Sequence, residues 1–495
     1  MKLFSDLSTV VEKDLRATNP WWDGLPQKPV APFRRWAFDP LYSRLQGGLA
    51  PAVVLRGPRQ VGKTTLLEQL IEELLRQGVE PRHILRVQFD ELPSLLEIQE
   101  PILEIARWFS ENIIKATFNE LAREKKVAYI FFDEVQNLPD WAPQLKHLVD
   151  LNQVRVMVTG SSALRIEHGR DSLAGRLTTL EMGPLLLREI SALRGGAQLT
   201  PLLKANGLGP LREKDFWQTL KAYGESNRST RDEAFSAFAQ RGGYPIAQVR
   251  RDRTWEEIAD QLNETVIQRA IQHDLRFGER GRKRDQTLLE EVFRMCCRYA
   301  GQAPGPSLYT EEIKKALTAN ISWQRILTYL RFLDGTLLIK LIQPMELRLK
   351  KKKGSYKICL GDHALRASWL QEIIPLDRDE LGQSPHTADL AGHLAESIAG
   401  YFLSTLPGLD IAHFPARAAE PEVDFVLTIG DRRIPIEIKY RRQIDDWNDT
   451  IGLRKFIEKS VYNAPFGLLI TLDDGASLSD PRIINMPLST LLLLR

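Results

Sequence analysis

The sequence predicts an α/β chain: a parallel sheet carrying a phosphate-binding loop, then a helical lid, a helix–helix–hairpin segment and a C-terminal α/β domain. Three observations predict it. Gly57 to Thr64 fit the pattern G-x-x-x-x-G-K-[ST], set between an apolar strand run and a helical pattern. The apolar run Val127-Ala128-Tyr129-Ile130-Phe131-Phe132 ends in two acids, Asp133 and Glu134. Near the C-terminus, two strand patterns carry Asp424 and then Glu437-Ile438-Lys439.

The loop comes first. Val53-Val54-Leu55 reads as a buried strand before it, and Leu66-Leu67-Glu68-Gln69-Leu70-Ile71 as a helix after it. Strand, glycine loop and helix together make a phosphate cradle, because glycines let backbone N–H groups turn inward and the helix N-terminus adds partial positive charge. The stretch Gly57, Pro58, Arg59, Gln60, Val61, Gly62, Lys63, Thr64 and Thr65 is therefore expected to contact a nucleotide. Lys63 reaches the β- and γ-phosphates in this reading, and Thr64 ligates Mg²⁺, which makes ATP with Mg²⁺ the expected cofactor.

A run as apolar as 127–132 suits a strand buried on both faces of a parallel sheet, whose carboxyl end is where ligands bind. Asp133 is expected to hold Mg²⁺ and Glu134 to polarise the attacking water as a general base. A third strand, Val154-Arg155-Val156-Met157-Val158, ends in Thr159-Gly160-Ser161-Ser162. Ser161 there either senses the γ-phosphate and positions water or caps a helix. Arg176, in Leu173-Ala174-Gly175-Arg176, falls between a helical pattern and the next strand. It either reaches the nucleotide of a neighbouring subunit or pairs with a surface carboxylate; Arg165 and Arg170 are lesser candidates.

With these residues in view, 49–195 resembles the AAA+ ATPase core, in the prokaryotic branch that reads G-P-R-x-V-G-K-T-T, then D-E, T-G-S-S and L-A-G-R. Gly242-Gly243-Tyr244-Pro245 is similar to that branch's lid motif. The resemblance implies nucleotide contacts at Gly243 and Pro245, which as residues fit a helix-entry turn equally well. It also implies a homo-oligomeric ring, a hexamer, with Arg176 completing a neighbour's site.

Composition bounds the rest. A chain of 495 residues holds three or four domains at ~100–200 residues each. A net charge of +3 is close to neutral, and for the chain as a whole it neither favours nor excludes nucleic acid. Two local basic stretches, 276–284 and 348–353, either meet phosphate or are solvated loops. Cys296, Cys297 and Cys359 make neither a disulfide framework nor a zinc spacing, which fits a reducing cytoplasm. The first residues lack a signal-peptide core and no run of ~18 apolar residues occurs, so a cytoplasmic protein without a membrane span is expected.

Along the chain, residues 1–48 read as an arm with an adenine-side flap, and 196–285 as an insertion and helical lid. In the lid, Ile258, Leu262, Val266 and Ala270 recur at helical spacing. Residues 286–370 show helical patterns at 310–317 and 321–333, then strands at 337–342 and 356–360 around the Lys350–Lys353 run. This resembles a winged helix. DNA is then an expected partner of Arg325 and Arg331, with packing against protein as the alternative use of the same fold.

In the C-terminal stretch, 385–495, an antiparallel strand pair sets Asp424, Glu437 and Lys439 at adjacent ends, and Glu437 and Lys439 share a face. Glu396 lies on a helical pattern upstream. Carboxylates so placed bind Mg²⁺, and a lysine beside them orients water. The constellation resembles the PD-(D/E)xK nuclease fold, which implies metal-dependent phosphodiester cleavage with Glu396, Asp424 and Glu437 as metal ligands and Lys439 beside them. The same fold also serves as a DNA-binding scaffold without cleavage. The whole chain thus reads as a DNA-directed ATPase motor, for example on branched DNA. The alternatives are a nucleotide-controlled switch with a nuclease effector and a non-cleaving regulator that binds DNA or protein.

Overall fold

The computed structural model describes residues 7–90, 98–161, 173–203, 207–272, 285–345, 354–416 and 421–495. They fall into two compact units, residues 1–182 and 183–495.

The first unit is built on five strands: β1 (Ala52–Arg56), β2 (Ile84–Gln88), β3 (Ala128–Asp133), β4 (Val154–Gly160) and β5 (Leu177–Glu181). They are all parallel, in the order β2-β3-β4-β1-β5. Every residue of β2 and β3 is buried; β3 is the near-continuous apolar run that cover on both faces requires, whereas β2 buries Arg86 and Gln88 as well. Helix α1 (Lys63–Arg76) follows β1 and buries Leu66, Leu67, Leu70, Ile71 and Leu74, the stripe expected at a 3.6-residue period. Helix α2 (Trp141–Leu151) lies between β3 and β4. The register aligns Arg56 with Gly160 and Gln88 with Asp133, so the loop after β1 and the acids after β3 share one edge of the sheet.

The N-terminal segment is part of this unit. A helix, Thr9–Thr18, leads into Asn19, whose side-chain amide donates to Arg86 O at 2.9 Å and accepts from Arg86 N–H at 2.7 Å. The indole N–H groups of Trp21 and Trp22 both donate to Ile84 O. Backbone groups of the edge strand β2, which have no strand neighbour on that side, are thereby satisfied by side chains. Further along, Gln69 on α1 donates to the carbonyls of Ala31 and Phe33, and Arg35 donates to Val61 O at 2.6 Å.

The second unit begins with helices. Ile258, Leu262, Val266 and Ala270 are all buried, as their spacing predicts. Then come α3 (Gln286–Arg298), α4 (Pro306–Leu317) and α5 (Trp323–Gly335), followed by the antiparallel hairpin β6 (Ile339–Pro344) and β7 (Lys357–Leu360). After it come α6 (Ala388–Ser404), β8 (Asp410–Phe414), β9 (Val423–Ile429), β10 (Arg432–Lys439), α7 (Ile451–Glu458), β11 (Gly467–Thr471) and β12 (Ile483–Pro487).

These strands form one seven-stranded mixed sheet, β12-β11-β10-β9-β8-β6-β7. The hairpin is therefore not confined to the 286–370 segment. Strand β6 pairs in parallel with β8, Gln343 with Ala412 and Pro344 with His413, so 286–370 and 385–495 share a sheet. Pairing between strands so far apart in sequence leaves no local signature. Arg325 and Arg331 are exposed on α5, with Arg325 3.5 Å from Asp285. The basic stretches 276–284 and 348–353, and with them Arg165 and Arg170, lie outside the described residues. Among the described residues, no helix is long and apolar enough to cross a membrane.

Candidate functional site

The loop between β1 and α1 has the backbone its sequence requires. Gly62, the cap of α1, sits at φ 93°, in the left-handed region that glycine enters without strain. A Cβ on Gly57 would stand 2.2 Å from Met182 O, so only glycine allows that approach. The Lys63 ammonium is buried. It donates to Gly57 O at 3.1 Å and Pro58 O at 3.0 Å, and lies 3.6 Å from Glu134 Oε1.

Around it runs a continuous polar network. Thr64 Oγ1 donates to Asp133 Oδ2 at 2.9 Å, and Thr159 Oγ1 donates to Asp133 Oδ1. Thr159 Oγ1 also accepts the Glu134 N–H at 3.0 Å. Glu134 is in the left-handed region at φ 52°, an uncommon backbone for glutamate and of the kind that clusters at functional sites. Gln136 donates to Glu134 Oε2 and, at 3.0 Å, to Ser161 Oγ. Ser161 thus faces the acids, while the residues that follow it, 162–172, lie outside the described residues. Thr159 and Gln136 are the members that sequence reasoning missed as site residues. Thr159 stood in the quoted Thr-Gly-Ser-Ser end of β4, and Gln136 follows the acidic pair by two positions.

The two acids differ electrostatically. Burial pushes Asp133 above its ordinary range, against the hydrogen bonds from Thr159 and Thr64. Burial also works on Glu134, but the Lys63 ammonium, with Gln136, Arg59 and Ser161, holds it below its ordinary range and therefore ionised. The residues fit Mg²⁺. The Thr64 hydroxyl and Asp133 carboxylate are adjacent hard oxygen donors, and Mg²⁺ takes a few such protein oxygens together with phosphate and water.

Arg176 immediately precedes β5 and lies at the amino edge of the sheet, where its carbonyl accepts the Ala52 N–H. The loop leaves β1 at the opposite edge. Arg176 Nε donates to Asp150 Oδ1 at 2.5 Å and is partly exposed. It is thus turned away from the loop of its own chain. Gly243 and Pro245 belong to the second unit. Gly243 N–H donates to the buried carboxylate of Asp362 at 2.5 Å, its carbonyl accepts from Leu185 N–H, and Pro245 opens a short helix, Pro245–Val249.

In the C-terminal sheet Asp424 and Glu437 come together as the strand pairing predicts, with Phe425 opposite Ile436, and Glu396 approaches from α6. That approach depends on Gly400, one helical turn on and on the same face as Glu396. A Cβ there would stand 2.5 Å from Cys359 Sγ and from Phe425 Cζ. The unexpected member is Lys357, at the start of β7 and 2% exposed. Its Nζ is 2.7 Å from Glu396 Oε2 and 2.8 Å from Asp424 Oδ1. The other Asp424 oxygen accepts the Ile438 N–H at 2.9 Å, and Lys439 Nζ pairs with Glu437 Oε1 at 2.6 Å.

Burial, and after it the Asp424 carboxylate, push Glu437 up to about 8. Burial also acts on Asp424, but Lys357 holds it below its ordinary range. The carboxylates expected as metal ligands, Glu396, Asp424 and Glu437, do not fit a metal as they stand. An ammonium occupies the space between Glu396 and Asp424, and among the described residues no group of three or more His, Cys, Asp or Glu side chains is placed to hold an ion.

A family model matches the stretch that carries the first unit's sheet. Residues 50–191 match the model of an AAA domain family, and residues 232–375 match a domain of unknown function. An uncharacterised protein of Methanocaldococcus jannaschii is 26% identical over 306 residues, covering 62% of this chain and 59% of that protein, so this chain spans less than two thirds of its length. An uncharacterised protein of Haemophilus influenzae is 24% identical over 396 residues, 78% of this chain and 82% of that one. Among solved structures, a Walker-type ATPase of Pyrococcus abyssi aligns over 70% of this chain and 99% of its own, at 14% identity and a TM-score of 0.39. Cdc6p of Pyrobaculum aerophilum aligns over 71% of this chain and 97% of its own, at 13% identity and a TM-score of 0.26. Parallel sheet, glycine loop and family match together identify residues 50–191 as a P-loop domain of the AAA type.

Proposed function

We propose that this chain binds and hydrolyses ATP with Mg²⁺ as an AAA+ protein acting on DNA. The observation that carries the reading is the polar network at the carboxyl edge of the first sheet, where Lys63, Thr64, Asp133, Glu134, Gln136, Thr159 and Ser161 are linked by hydrogen bonds and one ion pair. In this reading Lys63 and the N–H groups of the loop bind the phosphates, and Thr64 and Asp133 hold Mg²⁺. Glu134, kept ionised beside Lys63, polarises the water, and Ser161 with Gln136 orients it. When Mg²⁺–ATP is bound, the ion neutralises charge on the β- and γ-phosphates. Arg176, directed away from its own loop, serves a neighbouring subunit in a ring. Gly243 and Pro245 are nucleotide contacts in this reading, as the family resemblance implies.

DNA is the proposed partner of the second unit, through a winged-helix use of α4, α5 and the hairpin and through the nuclease-like C-terminal fold. A reading in which that fold binds DNA or protein without cutting is favoured by Lys357 between Glu396 and Asp424.

The experiment is ATP turnover by the full chain without DNA and with single-stranded, duplex or four-way-junction DNA, beside Glu134→Gln. Stimulation by one DNA form and loss of turnover in the variant are expected. Turnover indifferent to every DNA form would overturn the DNA-directed part, and normal turnover in Glu134→Gln would remove that residue's role.

A further inference from the structure

The C-terminal cluster already contains a cation. Lys357 Nζ bridges Glu396 Oε2 and Asp424 Oδ1 at 2.7 and 2.8 Å, ordinary lengths for charge-assisted hydrogen bonds. Its position is supported from several sides. The ammonium lies 4.9 Å from the centre of the Phe425 ring. Leu360 N–H, at the far end of the same strand, donates to Ser397 Oγ on α6 at 2.8 Å. Gly400 lets α6 approach closely enough for Glu396 to reach the lysine.

A Mg²⁺ ion binds oxygen at about 2.0–2.1 Å. An ion touching both of these carboxylate oxygens would lie in the space the ammonium fills, and two cations do not share it. The remaining Asp424 oxygen is engaged by backbone N–H, and Glu437 Oε1 by Lys439. Glu437 Oε2 is buried without a hydrogen-bond partner among the described residues, and Glu396 Oε1 lies 3.7 Å from His393 Nδ1.

We propose that Lys357, carried by β7, is a fixed internal cation that takes the place of a divalent ion between Glu396 and Asp424, so that the cluster binds no metal while β7 is in the sheet. The C-terminal fold is then a metal-independent module whose ionic centre locks hairpin, helix and sheet together. The inference goes beyond the proposed ATPase function and does not depend on it.

The test is Mn²⁺ binding to the nucleotide-free full chain, followed by electron paramagnetic resonance. Wild type and Asp424→Asn should give the same isotherm, because no ion sits at Asp424. Lys357→Ala should gain one equivalent of Mn²⁺, and Lys357→Ala with Asp424→Asn should lose it again. An equivalent bound by wild type and absent in Asp424→Asn would overturn the proposal, as would a folded Lys357→Ala that takes up no extra ion. Where Lys357→Ala does not fold, Lys357→Ser, which also vacates the space and is uncharged, takes its place. The wild-type comparison is repeated with Glu396→Gln and decides the first half alone. ATP turnover in the same preparations reads the first unit separately.

Discussion

Thr64 Oγ1 donates to Asp133 Oδ2 over 2.9 Å, tying the first turn of α1 to the end of β3, a strand that β4 separates from β1. The bond ranks Asp133 as the carboxylate paired with the loop, and leaves Glu134, with its different backbone and its neighbour Lys63, for a different task.

Lys63→Ala should remove nucleotide binding. A charge-assisted contact is worth about 1.5–3 kcal/mol, so affinity for a fluorescent ATP analogue should fall at least about tenfold. Affinity within twofold of wild type would defeat the phosphate-loop reading.

Glu134→Gln keeps the side chain's shape and removes its charge. ATP should still bind, and turnover should fall by about 10²–10⁴-fold, the range of general-base contributions. Single-turnover hydrolysis separates the two effects.

Thr159→Val removes a hydroxyl that donates to Asp133 and accepts from Glu134 N–H. Both groups are buried, so the variant should lose about 1–3 kcal/mol of first-unit stability, measured by denaturant unfolding, and weaken Mg²⁺-dependent ATP binding. A loss of nucleotide affinity independent of Mg²⁺ would contradict the assignment.

Arg176→Ala should bind ATP as well as wild type, since the side chain points away from its own loop, yet hydrolyse it slowly. Mixing Arg176→Ala with Lys63→Ala should restore turnover, because each supplies what the other lacks. Mixtures no more active than the sum of their parts would remove the role in a neighbouring site.

How much of this was legible in the sequence divides by distance along the chain. The loop, Asp133 and Glu134 are read from contiguous residues, because strand, turn and helix signals are local. The pairing of Asp424 with Glu437 was also legible, since the strands are joined by a short turn at Gly430 and Asp431. Lys357 was not. It sits in Tyr356-Lys357-Ile358-Cys359-Leu360, beside a basic run, where a lysine reads as the solvated flank of a hairpin. Only the pairing of β6 with β8 and the approach of α6 bury it against a carboxylate 67 residues away. Thr159 stood in plain view but resembles any strand-end threonine until its two partners are placed.

Glu437 makes a prediction about pH. Its folded-state value lies at about 8, above the ordinary 4.5, so between these the native state holds a proton that the unfolded chain releases. The stability it contributes is full near and below pH 4.5 and is lost as pH rises through 8. Glu437→Gln should flatten that decline, by about 1.4 kcal/mol per pH unit at its steepest. Unfolding midpoints of the two proteins from about pH 5 to about pH 8.5 make the comparison, and parallel curves would show that the carboxyl titrates normally.

The side chains laid along β2 set a limit on how this protein can be shortened. The family match begins at residue 50, yet Asn19, Trp21 and Trp22 cover the backbone of an outer strand, and Arg35 holds the carbonyl of Val61 inside the phosphate loop. A chain trimmed to the match would bare a row of hydrogen-bonding groups to any passing strand and slacken the loop at once. Self-association and weak nucleotide affinity in such a fragment would then be artefacts of the cut rather than properties of the full chain.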